Sequence, residues 1–432
     1  MDKEAIKINI IYMEIRKFTI IGIFLFLSSL LHAQTLTLEE AQEKAAAHYP
    51  ALARFNIIEQ TKEYNLANAS TAYLPQVSLH AQATWQSDVT KIELEVPGID
   101  IPTPDKDQYK IIAELNQLIW DGGKIAAQKE SISANAEVEK QQLESEIYSL
   151  RERVNGVYFG ALLLKEQLEQ QENLENELQR NHDKVQSYIR NGVANEADLS
   201  AVKVEQLKAK QQRTQLESAL TAYLQMLSVF TGEKIDNEVV LVKPQLQQIL
   251  SEPFIQRPEL KLFDAQENLL DAQKNLIRSK NMPVLGAFAQ GGYGKPALNM
   301  FDNSFSPYFL GGIRLSWNLA NLYTAKNERR NIDLQKMAID SQRETFLYNL
   351  NLQMLQQQNE IDKFYKTMQD DDEIIRLREV IKNAVEVKLE NGTMTVTDML
   401  KEINELEMAK QTKALHEIQY LLSIYNLKNT TN

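Results

Sequence analysis

The chain of 432 residues contains no cysteine. This absence excludes disulfides, a thiol nucleophile, cysteine-ligated zinc and a lipid anchor attached to cysteine. An excess of positive charge is also lacking, because the formal net charge is −12. Nucleic-acid-binding proteins are more often basic, so the composition argues against that class. Beyond residue 33, no apolar run approaches the length of about 20 residues that a membrane-spanning helix needs.

The N-terminus has the pattern of an export signal. Arg16 and Lys17 precede the apolar run 18–31, and Ala33 precedes a suitable cleavage point. Residues 1–33 are therefore predicted to be a signal peptide, with its start at either Met1 or Met13. The mature chain is then either exported and soluble, or inserted in a membrane as a β-barrel.

Most of the remaining chain has the residue pattern of long helices. Apolar residues in 122–190 recur at alternating spacings of four and three, which is the 3.5-residue period of a coiled coil. As one continuous helix this segment would be about 100 Å long, at about 1.5 Å per residue. The same composition predicts helices in four other segments, which are 36–71, 195–231, 321–390 and 395–428.

Four short segments alternate apolar and polar residues and are predicted to be strands. The alternation is strict in 76–86 and 309–319, and weaker in 109–120 and 284–293. Each strand has about the 9–11 residues that a tilted transmembrane β-strand needs. Four strands cannot close a barrel, since single-chain barrels begin at about 8 strands. If these strands span a membrane, several chains must share one barrel.

Aromatic residues stand at the ends of these strands, as expected for the two membrane interfaces of a barrel. Trp120 and Trp317 lie at the ends next to the helices. Trp85, Tyr109 and Tyr308 lie at the ends next to the loops. These five residues are predicted to be membrane-interface aromatics.

The order helix–strand–strand–helix–helix occurs twice, which predicts an internal repeat. The first repeat is placed at 34–231, an irregular linker at 232–256 and the second repeat at 257–428. Each repeat contains the sequence Asn-Gly followed by Asp six residues after the glycine, at 191–198 and at 391–398. Such a segment predicts a tight turn between two antiparallel helices, closed by a glycine C-cap and a capping box.

Three further motifs, in this order, complete a resemblance to the TolC-like family of outer-membrane efflux proteins. They are Tyr-Leu-Pro-Gln-Val at 73–77, Leu-Ile-Trp-Asp-Gly-Gly-Lys at 118–124 and Arg-Pro-Glu-Leu at 257–260. Each motif alone is weak, but their spacing and duplication are specific, and the resemblance covers 35–428. The second repeat departs from the pattern, because 317–320 reads Trp-Asn-Leu-Ala where the first has Trp-Asp-Gly-Gly.

The resemblance implies an α+β membrane protein that is mostly helical. Three chains would contribute four strands each to a 12-stranded transmembrane β-barrel, continued by a long antiparallel coiled-coil α-helical barrel in the periplasm. The implied location is the outer membrane, in contact with its lipid. The implied partners are two further copies in a homotrimer, a periplasmic adaptor (membrane fusion protein) and an inner-membrane pump of the RND or ABC type. The family exports drugs, metal ions or proteins, and the sequence favours none of these.

The resemblance also assigns a role to the two helical turns, which would form the periplasmic aperture and the adaptor-docking surface. The residues concerned are Asn191, Gly192, Asn195, Asp198, Asn391, Gly392, Thr395 and Asp398. A structural explanation of the two aspartates is helix capping. The explanations are compatible, because a capping carboxylate beside an opening still favours cations.

No pattern indicates an enzyme, a metal site or a cofactor. The histidines are scattered, with none at the i, i+4 spacing of a zinc site. Met394, Met399 and Met408 are interpreted as filler of a helix seam rather than as a copper or silver site. The acidic run 370–373 is interpreted as a solvated helix face.

The sequence leaves two alternatives to a membrane duct. One is an exported periplasmic coiled-coil scaffold or adaptor without a pore, in which the strands form an ordinary soluble β-layer. The other is an envelope hydrolase with Glu144 or Asp264 as a general acid. The hydrolase is strongly disfavoured, because both residues fall in regular helical stretches and no catalytic group is assembled around them.

Overall fold

The computed structural model describes residues 35–90, 103–245 and 255–431. The predicted signal peptide at 1–33 lies outside the described residues, as do parts of the first strand-connecting loop and of the linker. The elements in chain order are β1 (Thr35–Leu36), α1 (Leu38–His48), α2 (Ala53–Ser70), β2 (Gln76–Trp85), β3 (Asp107–Trp120), α3 (Lys124–Arg190), α4 (Glu196–Thr231), β4 (Val240–Leu241), α5 (Pro258–Lys280), β5 (Val284–Lys295), β6 (Ser306–Ser316), α6 (Asn321–Glu390) and α7 (Val396–Thr431).

The long helices begin and end close to the predicted residues. α6 has the predicted bounds, and α3, α4 and α7 differ from the prediction by at most three residues at either end. Several apolar positions of the predicted stripe in α3 are fully buried, among them Leu143, Val154 and Ala161. The heptad spacing therefore identified the face of the helix that packs.

The first predicted helical segment, 36–71, is not continuous. It begins with the short strand β1, and a 3₁₀ turn at Pro50–Leu52 separates α1 from α2. Tyr49 has an extended backbone (ψ 122°) because the proline that follows disfavours the helical conformation. α1 itself starts with a capping box, in which Thr37 and Glu40 exchange hydrogen bonds of 3.0 and 3.2 Å.

The linker contains one paired strand and is therefore not wholly irregular. β4 pairs in parallel with β1, through Thr35 opposite Val240 and Leu36 opposite Leu241. The hydroxyl of the buried Tyr158 lies 2.7 Å from the carbonyl oxygen of Leu36 and 2.8 Å from that of Val242. A pairing of two residues with a segment about 200 positions away leaves no period in the sequence, which is why it was not predicted.

A four-stranded antiparallel sheet has the order β2-β3-β5-β6, so strands from both predicted repeats are hydrogen-bonded neighbours. β6 lies three residues earlier than predicted, at Ser306–Ser316 instead of 309–319. The reason is the start of its partner, because β5 begins at Val284, which lies opposite Ser316. Residues after Ser316 have no paired residue on β5 and leave the sheet.

The chain divides into two compact units. The helical unit comprises the described parts of 1–50, 147–256 and 350–432, and the sheet unit comprises those of 51–146 and 257–349. Each unit takes residues from both predicted repeats, so the repeat bounds do not coincide with the unit bounds. No helix in the described part of the chain is long and apolar enough to cross a membrane.

The core of the helical unit brings together α1, α3, α4 and α7. Tyr158 and Phe159 of α3 are completely buried there, next to Leu38 of α1, Leu227 of α4 and Ile418 of α7. In the sheet unit, Leu270 and Ile277 of α5 pack against Ile332 of α6.

Candidate functional site

The turn between α3 and α4 has the backbone that its glycine predicted. Gly192 has a φ of 76°, a left-handed conformation that glycine adopts without steric cost. The N–H of Val193 donates to the carbonyl oxygen of Tyr188 at 2.9 Å, which satisfies a helix-end acceptor. The turn between α6 and α7 repeats this arrangement, with Gly392 at 71° and the N–H of Thr393 donating to Lys388 at 2.9 Å.

Capping boxes follow both glycine turns. The Asn195 side-chain oxygen accepts from the N–H of Asp198 at 3.1 Å, and the Asp198 carboxylate accepts from the N–H of Asn195 at 3.0 Å. In the second turn the Asp398 carboxylate accepts from the Thr395 hydroxyl at 2.7 Å and from the Thr395 N–H at 3.0 Å. These bonds, that of the hydroxyl first, hold the pKa of Asp398 below its usual range. The structural role predicted for both aspartates is therefore present in the geometry.

The two turns are brought together by a shared apolar cluster in the helical unit. Val185 of α3, Val202 of α4, Leu389 of α6 and Met399 of α7 are buried in it. Met394 packs against the same cluster, so two of the three methionines fill a helix seam as predicted. Met408 does not join them, because 63% of it is exposed.

Ion pairs between helices surround this cluster, and sequence reasoning did not identify them. Lys184 of α3 pairs with both Glu386 and Glu390 of α6, and its hydrogen bond to Glu386 raises the lysine pKa. Lys382 of α6 forms a second ion pair between the same two helices, with Glu177 of α3 at 2.5 Å. The i, i+4 spacing of the two α6 glutamates places them on one helix face, which was the available signal.

The acidic run 370–373 is only partly solvated. Asp371 is buried, and its carboxylate lies 2.8 Å from Nδ1 of His416 on α7. Asp372 pairs with Lys413 of α7 at 2.6 Å, while Glu373 pairs with Arg376 on its own helix. The prediction of a solvated face is therefore wrong for Asp371, because α7 covers this side of α6.

The carboxylate Asp264, considered as a general acid, pairs with Arg343 at 2.6 Å and is exposed. An exposed, ion-paired carboxylate lacks the pocket that a general acid needs. Among the described residues, no group of three His, Cys, Asp or Glu side chains is placed to hold a metal ion.

The four-stranded sheet has one apolar and one polar face. Directly opposite residues of antiparallel strands point to the same face, so the observed register assigns every side chain. Apolar side chains on one face are largely exposed, as Val77 (76%) and Ile313 (73%) show. The exposed apolar set on that face is Val77, Leu79, Trp85, Tyr109, Ile111, Leu115, Tyr293, Phe309, Ile313 and Leu315.

The opposite face carries mainly polar and charged side chains. It includes Ser78, His80 and Gln82 of β2, together with Glu114 of β3 and Arg314 of β6. The Glu114 carboxylate accepts from the side-chain amides of Asn116 and Gln290, each at 2.9 Å. Polar groups on this face are thus linked to one another across strands.

The predicted interface aromatics do not all share one face. Trp85 lies opposite Asp107, and Tyr109 lies opposite Ala83. These two neighbouring cross-strand pairs are on the apolar face. Tyr308 lies opposite Gly292 on the polar face, so it does not share the apolar face with Trp85 and Tyr109. Tyr308 is separated from Phe309 and from Ile313 by an odd number of positions, so strand alternation alone places it on the opposite face.

At the helix end of the sheet, Trp120 is the last residue of β3 and follows a register irregularity after Leu118. Trp317 stands just beyond β6, and its indole N–H donates to the carbonyl oxygen of Asn281 at 3.0 Å. At the loop end, sequence reasoning missed Tyr293 and Phe305, whose rings stack at 5.7 Å.

Both outer strands of the sheet have one free edge within the described chain. β2 pairs only with β3, and β6 pairs only with β5. Unpaired edges are sites where a further strand can be added.

Comparison with known protein families and solved structures agrees with the long helices and the four-stranded sheet described above. Residues 30–233 match the family model described as outer membrane efflux protein. Over this segment, which is slightly less than half of its length, the chain resembles the outer membrane efflux protein family. Members of this family are channels and not enzymes. This property of the family confirms the prediction that the chain has no catalytic role. Channels of the family are generally trimers that work with adaptor and pump partners. No match was found among curated protein sequences.

Solved structures with the same fold are outer-membrane channels. The outer-membrane channel OprN has a TM-score of 0.67 at 14% identity, over 91% of this chain and 89% of its own. CusC has a TM-score of 0.69 at 12% identity, over 91% and 92%. VceC from Vibrio cholerae has a TM-score of 0.65 at 12% identity, over 90% and 95%. These similarities confirm the predicted mostly helical fold with few strands.

Proposed function

We propose that the chain is the outer-membrane exit duct of a tripartite efflux pump or of a type I secretion system. In this role it conducts substrates passively from a pump and adaptor across the periplasm and outer membrane. Its partners would be two further copies, a periplasmic adaptor and an inner-membrane pump of the RND or ABC type.

The observation that supports this role most directly is the exposed apolar face of the sheet. Soluble monomers rarely expose a contiguous apolar patch larger than a few hundred Å². Here the apolar face extends over all four strands, from Val77 on β2 to Ile313 on β6. Lipid is a suitable environment for such a face, while the polar face suits an aqueous lumen.

The free edges of β2 and β6 support closure by copies of the same chain. A sheet edge cannot remain unpaired in lipid, because its N–H and C=O groups would lose their hydrogen bonds. Pairing β6 of one copy with β2 of the next removes both edges. Three copies of the observed four-stranded sheet give the 12 strands of one barrel.

The periplasmic aperture is proposed to lie at the two helical turns, which share one apolar cluster. The residues concerned are Asn191, Asn195 and Asp198 of the first turn and Asn391, Thr395 and Asp398 of the second. Both carboxylates remain partly exposed while they cap their helices. In a trimer they would supply six negative charges around the opening, which favours cations. Gly192 and Gly392 would shape the surface that docks the adaptor.

Conductance in a planar bilayer tests the proposal. Detergent-extracted wild-type protein is expected to give discrete, cation-preferring openings. The Asp198→Asn/Asp398→Asn double variant keeps an oxygen that can accept the capping N–H bonds but removes the charges, so its cation preference is expected to fall. The Asp198→Ala/Asp398→Ala variant is expected to lose cation preference and heat stability together. Openings with unchanged selectivity in both variants would leave the aspartates as helix caps only.

The second candidate is an exported coiled-coil scaffold without a pore, and the long helical seams of α3 and α6 are what favours it. A scaffold would be released from cells by osmotic shock. A duct would require detergent and would give a trimer that dissociates on heating. Folded trimers that never conduct, even with the tip carboxylates removed, would contradict the duct and favour the scaffold.

A further inference from the structure

On the polar face of β5 and β6, large aromatic side chains stand directly opposite glycines. Tyr308 of β6 is paired with Gly292 of β5, and Phe288 of β5 is paired with Gly312 of β6. Directly opposed residues of an antiparallel pair share a face and lie within contact distance. Each ring therefore has a neighbour without a side chain.

Both rings lie across the glycine opposite them. A β-carbon placed on Gly292 would be 2.3 Å from Cζ of Tyr308, and one on Gly312 would be 3.2 Å from Cε1 of Phe288. Distances this short leave no room for a methyl group beneath the Tyr308 ring and little beneath that of Phe288. An aromatic ring that covers a glycine on the next strand is a recognised way of stabilising glycine in sheets.

Arg314 continues the same layer. Its guanidinium carbon lies 4.6 Å from the centroid of the Phe288 ring, within cation–π distance. The charged group is therefore stacked on a ring that itself lies against Gly312.

The apolar face provides an internal comparison. Phe309 of β6 is directly opposite Gly291 of β5, so the same kind of pair occurs there. A β-carbon on Gly291 would meet nothing within 4 Å, and 71% of Phe309 is exposed. Phe309 thus leaves the glycine opposite it uncovered, and its ring lies instead beside Gly311 of its own strand, where a β-carbon would be 3.4 Å from Cζ of Phe309.

We propose that Gly292 and Gly312 set the width of the barrel lumen by holding Tyr308 and Phe288 flat against its wall. This inference rests on the proposed function, because the polar face lines a lumen only if the sheet closes into a barrel. Three copies would place three such layers around the lumen. Side chains on these glycines would turn the rings, and with them Arg314, into the path of a solute.

Three alanine variants form a graded test. Gly292→Ala is expected to displace the Tyr308 ring strongly, and Gly312→Ala is expected to displace the Phe288 ring less. Gly291→Ala is expected to displace no ring, in the order of the distances above. Gly291 is the matched control, since it lies in the same strand and adjoins Gly292 but is on the other face. Each variant would be purified as the complete chain.

The measurement is the size of the largest poly(ethylene glycol) that lowers single-channel conductance when added on the barrel side. Polymers added on this side enter the barrel without having to pass the helical tip. The polymer cut-off is expected to fall in Gly292→Ala, to fall less in Gly312→Ala and to match wild type in Gly291→Ala. The Gly292→Ala/Tyr308→Ala double variant is expected to recover at least the wild-type cut-off.

Heat stability of the same variants separates this inference from the proposed function. Gly292→Ala is expected to lower the unfolding temperature more than Gly291→Ala does, and to do so less in the Tyr308→Ala background. This coupling between positions 292 and 308 is measurable whether or not the protein conducts. Its absence would overturn the inferred packing of the Tyr308 ring on Gly292. Equal polymer cut-offs in Gly292→Ala and Gly291→Ala channels would overturn the role in lumen width. Coupling in a protein that never conducts would contradict the proposed duct, and the lumen role with it.

Discussion

At the scale of single residues, the charged side chains of the helical unit differ mainly in whether another helix covers them. Asp371 was placed on a solvated face by its acidic neighbours, yet α7 buries it against His416. Glu407 of α7 is also buried, and its carboxyl accepts one hydrogen bond of 3.3 Å from Gln411. Neither residue differs in type or spacing from exposed acids on the same helices.

Replacing Glu407 by glutamine tests the cost of this buried acid. Burial raises the pKa of Glu407, so the folded chain binds its proton more readily than the unfolded chain does. The contribution of this residue to stability is therefore greatest at low pH and decreases as pH rises through the raised pKa. Glu407→Gln should lose this decrease, so its stability relative to wild type should rise as pH increases from the ordinary glutamate pKa through the raised one.

Thermal unfolding of the purified protein across this pH range measures the effect. Glu379→Gln is the matched control, because Glu379 is exposed on α6. It is expected to follow the pH profile of wild type. A Glu407→Gln variant that is less stable than wild type at pH 8 would show that the ionised carboxylate contributes favourably.

At the scale of elements, packing decides whether a glycine is required in a long helix. Gly156 and Gly160 both lie in α3, one turn apart. A β-carbon on Gly156 would meet nothing within 4 Å, whereas one on Gly160 would lie 2.2 Å from Cε1 of Tyr223 on α4. The first glycine only weakens the helix, and the second lets two helices approach closely.

Alanine at these two positions is expected to act in opposite directions. Gly156→Ala should stabilise the protein by about 0.5–1 kcal/mol through helix propensity. Gly160→Ala should destabilise it by about 1–3 kcal/mol, because Tyr223 must move. Denaturant unfolding of both variants measures these differences. Equal effects at the two sites would contradict the packing explanation, as would an unchanged cost of Gly160→Ala in a Tyr223→Ala background.

At the scale of the whole molecule, the face that a sheet residue occupies should decide whether a charge is tolerated. Leu79 lies on the apolar face and Gln82 on the polar face of β2, at equal distances from the two ends of Gln76–Trp85. Arginine on the lipid side of a barrel costs about 2–4 kcal/mol near the bilayer midplane, whereas lumen positions tolerate charge.

Leu79→Arg is therefore expected to reduce the amount of heat-dissociable trimer recovered from the outer membrane, and Gln82→Arg is expected to leave it near the wild-type amount. Quantitative gel electrophoresis of heated and unheated membrane fractions measures both. If the two variants assemble equally well, the apolar face does not contact lipid.

A feature could be predicted from the sequence when it depends on residues that are close together in the chain. Helix bounds, the glycine turns at 192 and 392 and the two capping boxes follow from residues within one or two turns of each other. The two faces of β2 follow from strict alternation for the same reason. The sequence by itself determined these features because each depends on a period or a cap that is complete within a short segment.

Only the tertiary structure decided which distant segments meet. It placed β3 beside β5, ended β6 at Ser316, joined β1 to β4 and covered Asp371 with α7. It also laid Tyr308 across Gly292, where the alternation alone indicated a face but not a conformation. These outcomes depend on partners that are remote in sequence, and their free energy comes from contacts that no local pattern records.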